Sequence, residues 1–398
     1  MTGQIRSKIK LLNKYNMKIG IDYISTVGLG GNSTYTKGLI EALAKIDKKN
    51  KYYLCYYVHD FLPGRTRNNI DSKNFKLTPV YFSRLGFNLP VQFIKSVNRI
   101  SLKVFTKLNK VNLFHFTNPL NFIEGLGKSV VTLHDLSVLH HSQWAKSSSL
   151  EFFKKNIKNI LTQASKIIAV SNFTKDDIIK FFNIERERIT VIYEGAKDIF
   201  YPDLDKKYLK NKFNLENYIL YVGQLQPRKN VIRLLIAYSK LDINLRNKYS
   251  LVLVGTPRDN NFANKIAKII KEFKINNYVK QLDWVKDEDL PKLYSGAKLF
   301  IFPSLFEGFG LPVLEALSCG VPVITSNVSS LPEVVGRAGI LVNPEKVDEI
   351  KLSMDKVLLD EKIYQNLKNN CLKQAAKFNW QKAAKETLAV YEEIYKGS

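Results

Sequence analysis

Acidic residues are scarce in this chain: 36 Asp and Glu stand against 61 Lys and Arg, a formal net charge of +25 at pH 7. Between Asp71 and Glu124 there is none at all. Residues 1–198 hold 31 basic and 14 acidic side chains, a net of +17, while the remainder holds 30 and 22, a net of +8. A field of that sign draws phosphates, whether of nucleic acid, anionic lipid or a pyrophosphate-linked substrate. Cysteine is scarce too. Cys55, Cys319 and Cys371 are far apart and odd in number, which argues against a disulfide framework or a zinc site. No uncharged apolar run reaches the 18 residues that mark a membrane-crossing helix. The basic start of the chain lacks the apolar core of a signal peptide, so a cytoplasmic location is expected, peripheral at the inner face of the cell membrane. Asp203-Leu204-Asp205 and Asp287-Glu288-Asp289 have the D-x-D spacing of a metal site. Neither follows an apolar strand, and both read as solvated surface. No metal and no other cofactor is expected.

What is present has the composition of a globular α/β protein, and 398 residues suit two domains of about 200 each. Residues 1–16 read as a basic tail, 17–198 as a first domain, 199–376 as a second, and 377–398 as a C-terminal helix. Met17 to Ile24 reads as a strand, followed by Val27-Gly28-Leu29-Gly30-Gly31-Asn32-Ser33 and a helix from Tyr35 to Ile46. Strand, glycine loop and helix is the geometry that lets backbone approach a phosphate, although alone it serves a simple tight turn equally well. Residues 59–80 read as an irregular basic loop. Over Leu89 to Lys110 the residues Lys95, Arg99, Lys103 and Lys107 recur every four positions, while Ile94, Val97, Val104, Phe105 and Leu108 fall mainly on another stripe. Two readings overlap here: a domain helix with a core face and a solvated lysine face, and a basic helix lying on an anionic membrane surface. An apolar run from Ser129 to Leu133 ends in His134-Asp135, at the carboxyl end of a strand where open α/β sheets place ligands. His115 reads as structural; His140 and His141 do too, with a place on the acceptor side as their alternative.

The second half repeats strand-to-helix junctions with charge at the turn. Tyr218 to Val222 leads to Gly223 and then to Pro227-Arg228-Lys229-Asn230, which sets two cations beside a helix start, an arrangement suited to a diphosphate. Leu299 to Phe302 reads as a short buried strand and opens the stretch Pro303 to Pro322. Within it Glu307 lies in a Gly-broken loop, Pro312 is placed as the first helical residue, and Glu315 falls about one turn inside the helix. Amides at a helix start bind an anion, and a carboxylate accepts two hydroxyls of a sugar or ribose. Diphosphate plus polyol means a nucleotide sugar.

Glu307 and Glu315, spaced E-x7-E with Phe309, Gly310 and Leu311 between them, resemble the signature of retaining GT-B glycosyltransferases, in particular family 4. The likeness extends through Val321-Pro322-Val323-Ile324 and Leu331-Pro332-Glu333-Val334-Val335-Gly336, and covers nearly the whole chain. It implies two Rossmann-like domains facing across a cleft, with the C-terminal helix crossing back to the first. It also implies a retained anomeric configuration, with Arg228 and Lys229 neutralising the leaving diphosphate and Glu307 with the amides of Phe309 to Leu311 holding the donor sugar. Glu315 would hold the ribose diol and His134 contact the donor sugar near the reacting carbon, while Gly30, Gly31 and Gly223 allow close approach to the donor. Asp135, His140 and His141 would fall on the acceptor side. One departure concerns Gln224, where many family members have a second arginine.

The Leu133-His134-Asp135-Leu136 and Pro-Arg-Lys-Asn segments look most like bacterial and archaeal mannosyltransferases of surface-polysaccharide pathways. GDP-mannose is therefore the expected donor, and a lipid-linked or oligosaccharide acceptor the expected partner. UDP-glucose and UDP-N-acetylglucosamine are alternative donors, and a GT-B epimerase or phosphorylase would share the architecture. A nucleic-acid-binding protein would explain the charge, but no aromatic residues interleave with the basic runs as stacking platforms, so no nucleic-acid partner is expected.

Overall fold

The computed structural model describes residues 16–27, 30–57, 70, 72–82, 91–141 and 147–397. Gly28, Leu29 and the tail up to residue 15 lie outside the described residues. The chain divides into two compact units, one of Met1–Val170, Thr174–Tyr193 and Trp380–Ser398, the other of Ser171–Phe173 and Glu194–Asn379.

The first unit is built on seven parallel strands: β1 (Lys18–Asp22), β2 (Lys51–Tyr57), β3 (Phe75–Tyr81), β4 (Leu113–Phe116), β5 (Ser129–Leu133), β6 (Lys166–Ala169) and β7 (Ile189–Val191). Their order is β3-β2-β1-β4-β5-β6-β7, so chain direction across the sheet reverses between β1 and β4. There Ile19 faces Tyr52 on one side and Leu113 on the other. All five residues of β5 are buried, as expected where helices cover both faces of a parallel sheet. The expected loop over 59–80 needs correction: Phe75–Tyr81 form β3, paired with β2 from Phe75 opposite Tyr52 onward. Pro79 donates no ladder hydrogen bond, which confines such a strand to a sheet edge, and β3 is the edge.

The helix after the glycine loop runs Gly31–Ile46, four residues earlier than expected, with Gly30 at φ 123° as its N-cap. The C-terminal helix, Trp380–Lys396, packs along it: a Cβ on Gly38 would lie 2.3 Å from the Trp380 ring. Tyr391 on that helix hydrogen-bonds the buried His115 Nδ1 (2.6 Å), whose Nε2 meets Thr132 Oγ1 (2.8 Å). His115 is thus a core residue, its pKa lowered by burial to about 3.

The basic helix, Val91–Asn109, has three faces rather than two. Leu102 is buried, and Ile94 and Phe105 are partly so. Lys95, Arg99 and Lys107 are exposed, and Lys103 is half-buried. Val104 and Leu108, expected on the core side, are exposed instead and line up with Phe93 and Ile100 in an apolar stripe beside the cations. On the inner side of the helix Phe105 packs edge-on against Tyr53 of β2, and Ser101 Oγ donates to the Val80 carbonyl of β3 (2.9 Å). Among the described residues, no helix is long and apolar enough to cross a membrane.

The second unit carries six parallel strands: β8 (Tyr218–Val222), β9 (Ser250–Val254), β10 (Val279–Leu282), β11 (Leu299–Phe302), β12 (Val323–Ser326) and β13 (Gly339–Val342). Their order, β10-β9-β8-β11-β12-β13, reverses between β8 and β11. In open α/β sheets that crevice, outside the carboxyl ends of the strands, is where ligands bind. The loops leaving β8 and β11 carry Arg228 and Lys229 on one side and Glu307 on the other.

Candidate active site

Beyond β8, Pro227 opens a single tight turn, Pro227–Lys229, and Asn230 ends it in the left-handed conformation that Asn tolerates. The Asn230 side-chain amide then donates to the carbonyls of Pro303 (3.0 Å) and Pro344 (2.7 Å), and Leu305 N donates to Arg228 O (2.8 Å). These bonds lock the turn against the loop after β11. Lys229 Nζ and Ser304 Oγ each donate to Glu307 Oε1 at 2.6 Å, and Arg228 Nη1 lies 3.1 Å from Glu307 Oε2. Arg228 also donates to the Phe306 carbonyl (2.6 Å), and Lys229 sits 4.9 Å over the Phe302 ring. Glu307 is buried. Burial alone would raise its carboxyl, but the charges of Lys229 and Arg228 and the bonds from Lys229 and Ser304 outweigh this and hold it below its ordinary value.

Gly310 then turns the chain into the helix Leu311–Ser318 at φ 109°, where a Cβ would lie 2.8 Å from the Leu331 side chain. Leu311, not Pro312, is the first helical residue. Ser330 Oγ donates to the carbonyls of Glu307 (3.0 Å) and Phe309 (2.8 Å), and the Phe309 ring packs edge-on against Phe378. Glu315, in the same helix, accepts from Tyr294 OH (2.9 Å). Burial pushes its carboxyl up to about 7, the Tyr294 bond and the charge of Lys197 opposing. Gly223, at φ 150°, directly follows β8, and the side chains of Tyr221 and Phe302 lie 3.4 and 3.5 Å from where its Cβ would be.

In the first unit the crevice between β1 and β4 is also polar. Asp22, the last residue of β1, is buried and accepts from Thr117 Oγ1 (3.0 Å) and Asn121 Nδ2 (3.2 Å). Burial raises its carboxyl to about 6. His134 follows β5; its Nε2 lies 2.8 Å from the Thr117 carbonyl and so carries the proton there. Asp135 Oδ1 accepts from Ser137 N (2.9 Å) and Oγ (2.7 Å), a local cap. His140 Nε2 is bonded to both oxygens of Asp177 (2.8 and 2.7 Å), and half-buried His141 closes the turn Ser137–His140. Gly30 and Gly31 lie at the start of the glycine-loop helix with open space around them.

The structure therefore gathers Arg228, Lys229 and Glu307 into one cluster of the second unit, with Gly310, Leu311 and Glu315 following Glu307 along the same loop and helix. Sequence reasoning does not single out Ser304, Tyr294 or Asp22. Ser304 stands three residues before Glu307 and was there to be found; nothing in sequence links Tyr294 to Glu315. Asp289, expected as solvated surface, is buried instead: Lys212 pairs with it at 2.8 Å and Tyr208 donates to it, which compensates the buried charge. Among the described residues there is no group of three or more His, Cys, Asp or Glu able to hold a metal ion.

Comparison with known proteins agrees with this geometry. The Glycosyltransferase Family 4 model matches residues 29–197, and that for Glycosyl transferases group 1 matches residues 205–374. The O-antigen chain mannosyltransferase B of Escherichia coli is 35% identical over 271 residues, 67% of this chain and 71% of that protein. The serotype-specific mannosyltransferase WbdA of Escherichia coli is 32% identical over 280 residues, 68% of this chain but only 34% of its own length. A sucrose-phosphate synthase from Thermosynechococcus elongatus superposes with a TM-score of 0.79 at 22% identity, over 96% of this chain and 100% of that one, and shows the shared fold. Two Rossmann-like units, each matched by its own family model, and a relative aligned over most of its length make this chain a GT-B glycosyltransferase of family 4.

Proposed function

We propose that the chain transfers mannose from GDP-mannose to a hydroxyl of a lipid-linked or oligosaccharide acceptor in surface-polysaccharide or glycolipid assembly, with the anomeric configuration retained. The observation that carries the reaction is the Arg228–Glu307–Lys229 cluster at the β8/β11 crevice. The names of the relatives above support mannose and a surface polysaccharide.

In this reading the diphosphate of the donor meets Arg228 and Lys229, which balance the negative charge that grows as the bond from sugar C1 to phosphate oxygen breaks. Glu307, relieved of one of its cations, turns a carboxylate oxygen to the hydroxyls of the donor sugar. Glu315, in its ionised form, accepts both hydroxyls of the ribose. The acceptor hydroxyl oxygen bonds to C1 on the face the phosphate leaves, and its proton passes to the departing phosphate oxygen. His134 is the first-unit side chain assigned to sugar hydroxyls. Two protein cations do the work of a divalent metal, so activity should survive a chelator.

The basic helix Val91–Asn109 gives the same enzyme a membrane surface to work on. Phe93, Ile100, Val104 and Leu108 would enter the headgroup region, and Lys95, Arg99, Lys103 and Lys107 would meet anionic phosphates. Val104→Glu/Leu108→Glu should release the protein from anionic vesicles in a sedimentation assay and leave its melting temperature unchanged.

The test of the donor is a thermal-shift panel of GDP-mannose, UDP-glucose, UDP-N-acetylglucosamine and the free nucleotides. A donor at about a hundred times its dissociation constant adds about 2.7 kcal/mol. A response to GDP compounds alone supports mannose transfer, a response to UDP compounds alone removes it, and no response to any of them refutes the donor reading.

A further inference from the structure

The first unit contains a cavity of about 760 Å³ between the basic helix, the end of β3 and the segment after β4. That is the size of a small-molecule site, and it lies apart from Asp135, His140 and His141. Its wall is mainly apolar, with Tyr57, Tyr81, Phe82, Phe122, Ile123 and Ile160 prominent. The amides along it are engaged within the protein. Asn98 holds both backbone groups of Phe82 (2.6 and 3.0 Å), Asn121 donates to Asp22, and Asn159 donates to Glu124 (2.6 Å). The charges at the rim remain available. Lys95 has no ion-pair partner among the described residues, and exposed Arg99 has only Glu124 at 4.0 Å.

We infer that this cavity holds a lipid phosphate, with one apolar chain against the aromatic and aliphatic wall and the phosphate at Lys95 and Arg99. An apolar interior rules against a bare sugar phosphate, because the amides that would bind hydroxyls are taken. The two cations rule against a neutral hydrocarbon. The helix that supplies them also carries the exposed Phe93, Ile100, Val104 and Leu108, so the rim sits on the same element as the surface assigned to the bilayer. The biological sense of the inference rests on the reading of the acceptor as lipid-linked; the binding itself does not.

The probe is farnesyl phosphate, used below its aggregation limit with the full chain and measured by calorimetric titration beside farnesol, inorganic phosphate and GDP-mannose. Farnesyl phosphate should saturate one site, with farnesol and inorganic phosphate each at least tenfold weaker. Lys95→Gln/Arg99→Gln, at exposed positions, should weaken farnesyl phosphate at least tenfold and leave GDP-mannose untouched. No saturable binding of farnesyl phosphate, or equal affinity in the double variant, overturns the cavity assignment. If GDP-mannose still binds in that case, the donor reading stands alone. If farnesyl phosphate binds and no nucleotide sugar does, the cavity stands and the donor reading falls.

Discussion

Replacing Glu307 by Gln tests the central cluster without changing its shape. The Lys229 and Glu307 side chains are 11% and 9% exposed, and the Arg228 side chain 23%. Gln keeps an acceptor for Ser304 and for Lys229, but it takes the negative charge of Glu307 away from Lys229, a nearly buried cation. Removing one partner of a buried ion pair costs about 3–5 kcal/mol. The preserved hydrogen bonds and the partial hydration of Arg228 place this variant near the lower end, about 3 kcal/mol. For a unit of this size 1 kcal/mol moves the melting temperature by about 2–4 °C, so a fall of about 6–12 °C is expected by scanning calorimetry. The decisive comparison is the double variant Lys229→Met/Glu307→Gln. With the stranded charge gone, it should melt above Glu307→Gln, giving a coupling energy of about 2 kcal/mol across the cycle. Free GDP should recover more stability in Glu307→Gln than in the parent, because its diphosphate supplies the anion the lysine has lost. Losses that simply add, with no extra response to GDP, would refute the picture of one coupled cluster.

Glu315, with its carboxyl at about 7 in the folded chain against an ordinary value of 4.5, binds more protons folded than unfolded between those values. Stability should therefore fall as pH rises from about 4.5 to 7, by about 3 kcal/mol, and Glu315→Gln should remove that slope in urea titrations. With the ribose hydroxyls on the ionised form, as proposed above, nucleotide affinity should rise about tenfold from pH 6 to 8 in the parent and lose that part of its rise in Glu315→Gln, read by calorimetric titration. His115 behaves oppositely: its folded pKa near 3 lies below the ordinary value of 6.5, so its contribution is complete above 6.5 and is lost as pH falls toward 3. His115→Asn should flatten acid denaturation over that window. Gly310→Ala forces φ 109° on a residue with a Cβ and presses on Leu331; about 1–3 kcal/mol of stability should go, with weaker donor binding in the same variant.

The sequence shows its buried strands plainly. Leu299–Phe302 and Tyr218–Val222 are short apolar runs bounded by turn residues, and a parallel sheet covered on both faces requires such runs. Strand β3 is harder to see, since Lys76, Thr78 and Pro79 interrupt its pattern and only the pairing with β2 makes it a strand. The meeting of Lys229 with Glu307, 78 positions away, cannot be read from spacing. It follows from strand order, because β8 and β11 are neighbours at the point where the sheet reverses. The family likeness brought these residues together by type; the β8/β11 junction gives the physical reason they touch. Val104 and Leu108 show the opposite failure. Periodicity reports that a helix has an apolar stripe and is silent on whether anything in the same chain covers it.

Trp380 against Gly38 has a consequence for biosynthesis. The helix that completes the first unit follows the entire second unit in sequence, so about 200 residues separate Tyr193 from the far end of that helix. At about 5–20 residues per second, a ribosome needs roughly 10 to 40 s to make them. Through that interval the nascent first unit presents the uncovered face of its glycine-loop helix, with Tyr35 and Gly38 waiting for Trp380. The second unit, continuous from Glu194 to Asn379 apart from Ser171–Phe173, can close first although it is made later. Completion of the first unit therefore waits for synthesis of the whole second unit, and a holdase in the cell would find its target on the half that left the ribosome earlier.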